Sequence, residues 1–81
     1  MARISGKRDE HSQLLRIGRV IREERKALGL SQEALADAAG LDRSHMGKIE
    51  RGERNVTLLN FIRIATAINK RMSEVLIQAD L

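Results

Sequence analysis

Residues Ser31–Glu50, SQEALADAAGLDRSHMGKIE, decide how this chain folds. Ser31 offers a side-chain acceptor for the free N–H groups of a helix running from Gln32 to Ala39, and Glu33 sits in its first turn, where the helix dipole favours an acid. Gly40 then ends that helix, because a residue without Cβ takes the positive φ of a sharp turn at no steric cost. Asp42 can cap a second helix from Arg43 to about Arg51, with Gly52 as its stop. Leu35, Leu41, Met46 and Ile49 face one side and would fix the pair on a core. Ala36 is the small side chain that lets two helices cross closely. The segment is two short helices joined by a tight turn.

Working outward, Leu14, Ile17, Ile21 and Leu28 fall on one face of a helix from about Ser12 to Leu28, which Gly29 terminates. On the other side, ERGERNV (Glu50–Val56) is a polar loop. Thr57 caps a fourth helix through about Ile68, in which Leu58, Phe61, Ile62, Ala65 and Ile68 repeat with helical period, and Asn69 suits the position after its end. Ser73 opens a last short helix carrying Val75, Leu76 and Ile77. Nothing alternates with period two over a strand's length. These elements predict an all-α, compact five-helix domain over residues 11–81. Residues 1–10 read as a mobile basic arm carrying Arg3, Lys7 and Arg8, with two readings open: an arm touching DNA phosphate, or a solvated tail.

Composition narrows the function. The 81 residues suffice for one small domain, and a chain this short is marginal alone, which makes a partner subunit a reasonable expectation. Fifteen Lys and Arg against eleven Asp and Glu give a net charge of +4, suited to an anionic partner. Phe61 is the one aromatic residue, which argues against base-stacking platforms for single strands or RNA and leaves duplex DNA as the favoured nucleic acid. There is no cysteine and no proline, so disulfides and thiolate metal sites are excluded. With His11 and His45 as the only histidines and no carboxylate pair in a pocket-like context, no catalytic site, metal, cofactor or small-molecule ligand is expected. No apolar run approaches the roughly 20 residues of a membrane span, and no apolar signal segment opens the chain; the expectation is a soluble cytoplasmic protein.

The Ser31–Glu50 unit satisfies the requirements of a helix-turn-helix. Its LGLSQEALADAAG (Leu28–Gly40) followed by IERGER (Ile49–Arg54) resembles the lambda-repressor and Cro-like family, also called XRE, and the resemblance covers roughly Leu14–Leu76. Within that family, LDRSHMGKIERGERNVTL (Leu41–Leu58) is similar to controller proteins of restriction–modification systems. The resemblance implies a lambda-repressor-like domain that binds operator DNA as a homodimer on palindromic half-sites and regulates transcription. An antitoxin that also represses its own operon is the alternative reading.

The resemblance makes the second helix of the motif the reader, with Arg43, Ser44 and Lys48 at base edges. A guanidinium can bond both O6 and N7 of guanine, which puts Arg43 first. Gln32, Arg51, Arg54, Asn55 and Thr57 are implied as backbone contacts, and His45 either touches DNA or is a surface residue. Arg25 and Glu50 align with a family ion pair that fixes the reader's angle. Glu33 and Asp37 match positions that touch RNA polymerase in relatives that activate transcription. The fourth and fifth helices carry more apolar residues than one small core uses, and Phe61, Ile64, Ile68, Met72 and Ile77 are assigned to the dimer interface.

Overall fold

Five helices follow one another in the computed structural model, which describes Asp9 and residues 12–81: α1 Gln13–Ala27, α2 Gln32–Ala39, α3 Arg43–Glu50, α4 Leu58–Ala67 and α5 Met72–Gln78. Among the described residues there is no strand, and no helix is long and apolar enough to cross a membrane. Arg3, Lys7 and Arg8 of the expected arm lie outside the described residues.

Local chemistry sets most of the boundaries. Ser31 Oγ accepts from the Ala34 N–H at 3.0 Å, and Thr57 Oγ1 accepts from the Asn60 N–H at 3.2 Å, so both expected caps form. Gly40 takes φ 71°, and the Leu41 N–H folds back to the Ala36 carbonyl at 2.8 Å. Asn69, at φ 60°, follows α4 in the same left-handed conformation.

Two helix starts differ from expectation, and a third has a cap that the sequence did not suggest. Asp42 occupies the N-cap position of α3, but its carboxylate accepts no capping hydrogen bond. Ser73 lies inside α5 and does not open it; the helix begins one residue earlier, after Arg71, whose N–H donates to Glu74 Oε1 at 2.9 Å. At α1 the capping acid comes from before the helix. Asp9 accepts from the Gln13 N–H at 2.8 Å and the Leu14 N–H at 2.6 Å, while Ser12 sits in a left-handed turn with its hydroxyl unused for capping.

One core joins all five helices, with Ile21, Leu35, Met46, Ile49, Ile64, Ile68 and Val75 fully buried. α2 packs on α3 and α4, and α1 packs on α3 and α5. The crossing of α1 over α3 depends on Gly18. A Cβ there would overlap the Ile49 carbonyl oxygen and stand 2.6 Å from that of Glu50, so only glycine lets the backbones approach this closely.

The same core corrects the expected dimer residues. Phe61, Ile64 and Ile68 are 6%, 0% and 2% exposed, sealed inside the chain's own core and unable to face a partner. Met72 is half-buried against that core. Only Ile77, at 73% exposure, remains on the surface, where Leu58, Leu59, Ile62 and Leu81 are also exposed. α4 is apolar on more than one side, and the inward stripe claims Phe61, Ile64 and Ala65.

Gly18→Ala is expected to lower stability. Overpacking costs about 1–3 kcal/mol, more than the roughly 1 kcal/mol that alanine gains in helix propensity. Urea denaturation should show an earlier midpoint; a variant as stable as the parent would show that α1 and α3 can part freely.

Candidate nucleic-acid interface

α3 is a helix of two unequal sides. Met46 and Ile49 are buried in the core, while Arg43 and Ser44 are exposed and Lys48 is half-buried. Arg43, Gly47 and Arg51 recur every four residues, with Ser44 and Lys48 forming the adjoining row, so the first two turns present a polar surface. His45 is half-buried at the flank.

A buried ion pair holds that surface. Arg25 of α1 donates from Nε to Glu50 Oε2 at 2.8 Å and from Nη2 to Oε1 at 3.0 Å, a bidentate fork. The two side chains are only 10% and 1% exposed. The third nitrogen, Nη1, donates to the Leu30 carbonyl at 2.9 Å, tying the α1–α2 turn to the same centre. Gln32 of α2 completes the group, its Nε2 donating to Glu50 Oε1 at 3.1 Å. A single carboxylate at the end of α3 therefore binds side chains from the two helices that flank it.

Beside this centre opens a shallow cleft of about 460 Å³ lined by Gln32, Asp42, Arg43, Ser44, Gly47 and Arg51. It brings together four residues that the sequence singled out, Gln32, Arg43, Ser44 and Arg51. The Gln32 amide has a second N–H beyond the one given to Glu50, and its place at the start of α2 lies near free backbone N–H groups. With Arg43 and Arg51 also in its lining, the cleft offers donors and positive charge, opposed by the Asp42 carboxylate. Such a lining suits an anionic oxygen.

Lys48, His45, Arg54, Asn55 and Thr57 lie outside the cleft lining. Arg54 and Asn55 are exposed on the loop after α3. Thr57 is exposed as well, its oxygen accepting at the α4 cap while its hydroxyl proton remains a donor. Glu33 and Asp37 are both exposed on α2. Among the described residues no group of three His, Asp or Glu side chains could hold a metal ion.

Sequence reasoning overlooked Glu53. Its Oε2 accepts from Arg51 Nε at 2.8 Å and its Oε1 from Nη2 at 3.3 Å, on side chains each about half exposed. The hydrogen bonds from Arg51, aided by the charges of Arg51, Lys48 and Arg54, hold the Glu53 carboxyl below the ordinary glutamate range. The pair thus stays charged below the normal glutamate pKa and loosens only as pH falls through the lowered value. An i, i+2 spacing has no meaning on a helix surface, which is why the pattern gave no signal; the turn at Gly52 creates it.

Residues 21–75 match the family described as Helix-turn-helix, HTH_3. The control protein C.SmaI of Serratia marcescens is 45% identical over 56 residues, covering 69% of this chain and 67% of that protein. The control protein C.MunI of Mycoplasma sp is 38% identical over 61 residues, 74% of this chain and 82% of its own. The crystal structure of the restriction-modification controller protein C.AhdI from Aeromonas hydrophila superposes with a TM-score of 0.77 at 48% identity, covering 79% of this chain and 97% of that one. With the motif at α2–α3, the five-helix core and these matches, the chain belongs to the HTH_3 helix-turn-helix family.

Proposed function

We propose that this protein is the controller of a restriction–modification operon: a homodimer that sets the first turns of α3 into the major groove of a palindromic operator and regulates transcription from it. The observation that carries the reading is the outward row Arg43, Ser44 and Lys48 on a helix clamped at its far end by Glu50 to Arg25 and Gln32. A major groove about 12 Å wide admits one such helix. The restriction–modification setting is supported by the name of C.AhdI, a restriction-modification controller protein, and the controlling role by the names of the control proteins C.SmaI and C.MunI.

Within this reading Arg43 takes a guanine edge, and Ser44 and Lys48 read neighbouring edges. Gln32, Arg51, Arg54, Asn55 and Thr57 grip backbone phosphates, with His45 at the flank. Glu33 and Asp37, exposed together on α2, are assigned to RNA polymerase. The partner surface is reassigned to the apolar side chains that the core leaves outside, Leu58, Leu59, Ile62, Ile77 and Leu81. A two-fold dimer holding its reading helices about 34 Å apart matches half-sites one DNA turn apart.

Duplexes selected from a random pool supply the operator and test the two kinds of contact. Arg43→Ala is expected to relax preference at one base pair per half-site and to cost about 1–3 kcal/mol, whereas Arg54→Ala should weaken all sequences alike and flatten the salt dependence by about one ion. Equal losses on selected and random DNA for Arg43→Ala would overturn base reading by that residue. For the dimer, Leu58→Glu with Ile77→Glu should give a folded monomer by sedimentation at micromolar protein, where the parent is a dimer. A parent that sediments as a monomer there would overturn the assembly.

A further inference from the structure

The Arg51–Glu53 pair lies where the proposed function needs a free cation. Arg51 borders the cleft, and its guanidinium rests above Gly47: a Cβ on residue 47 would stand 3.1 Å from Arg51 Nη1 and 3.4 Å from Gln32 Oε1. Nη1 is thereby turned toward α3. The Nε/Nη2 edge, the one that best receives two oxygens side by side, is filled by the Glu53 carboxylate at 2.8 and 3.3 Å. The backbone enforces this return. Gly52 takes φ 72°, the Glu53 N–H donates to the Lys48 carbonyl at 2.9 Å, and the side chain of residue 53 comes back over residue 51.

We propose that Glu53 is a built-in competitor for the DNA backbone: its carboxylate occupies the edge of Arg51 that a phosphate would take, and docking on duplex DNA exchanges one for the other. The inference rests on the DNA-binding reading above and adds to it a residue that sets how readily the protein holds DNA of any sequence. Carboxylate and phosphodiester carry the same charge and the same pair of acceptor oxygens, so the exchange changes neither the number nor the kind of hydrogen bonds to Arg51. Glu53, once released, still has Lys48 and Arg54 near it. In the free protein the pair withholds one cation from the phosphate-binding surface. Weak, sequence-independent association is thereby reduced, while a site that brings a phosphate to the cleft still recovers the contact.

A double-mutant cycle on the full chain tests this, with binding to a mixed-sequence duplex followed over a range of salt and folding checked by circular dichroism. Glu53→Gln is expected to bind about two- to fivefold more tightly at low salt, the scale of an exposed ion pair, with a salt slope no shallower than the parent's, because Arg51 meets a phosphate in both. Arg51→Ala should weaken binding, and adding Glu53→Gln to it should bring almost no further gain. An equal gain with and without Arg51 would show that Glu53 acts only as one negative charge near DNA. Weaker binding by Glu53→Gln would make Glu53 a support for Arg51; either result overturns the competitor. A parent that binds duplex while the variants are simply additive refutes the competitor alone, whereas a parent that binds no duplex refutes the DNA-binding reading and the competitor together.

Discussion

The Glu50 carboxylate is the constraint on which the presentation of α3 depends. It stands at the C-terminal end of that helix, nearly sealed from solvent, and accepts from Arg25 of α1 and Gln32 of α2. A buried charge is tolerable only when its oxygens are fully engaged, and removing one partner of such a pair costs about 3–5 kcal/mol because the other is left uncompensated. The same energetics say that the pair adds little net stability over well-packed apolar residues. Its contribution is geometric: two forked hydrogen bonds fix distance and angle together, where apolar side chains would fix only proximity. Gly18 sharpens the constraint by letting α1 lie against the Ile49 and Glu50 carbonyls.

From that centre the division of labour follows. The buried side of α3 anchors it through Met46 and Ile49, the clamped end sets its tilt, and the opposite end is left with exposed polar residues. Gln32 belongs to both parts, donating inward to Glu50 while lining the cleft beside Arg43 and Arg51. A phosphate grip at Gln32 would therefore be coupled to the pose of α3 through one carboxylate. Gly47 keeps the surface between them low enough for the Arg51 guanidinium to lie across it.

Much of the fold was legible because its signals are local. Ser31, Gly40, Thr57 and Asn69 act on backbone groups within a few residues, and the helical period of Leu35, Met46, Ile49, Phe61 and Ile64 points to one interior. What was not legible depends on distance or on turns. No spacing rule links Arg25 to Glu50, and that pairing entered through resemblance alone. Asp9 caps α1 from outside the helix, and Glu53 reaches Arg51 through a left-handed glycine. Gly18 carries no pattern at all until α3 is laid against it. The surplus of apolar residues in α4 and α5 was visible, but periodicity could not say which stripe turns inward. Phe61, Ile64 and Ile68 went to the core, and Leu58, Ile62 and Ile77 stayed outside.

The geometric role of the buried pair can be separated from its role in stability by replacing both partners with apolar residues of similar size. Arg25→Met combined with Glu50→Leu removes the charges together and leaves no unpaired buried charge, while the Leu30 carbonyl and the Gln32 amide each lose one partner, so the variant should fold with a thermal midpoint near that of the parent. Its affinity for the selected operator, measured by titration alongside, is expected to fall by about tenfold or more, because the Glu50 end of α3 and Gln32 then lose the hydrogen bonds that fix their angle. A folded double variant that binds the operator as tightly and as selectively as the parent would contradict the assignment of Glu50 as the residue that sets the reading helix.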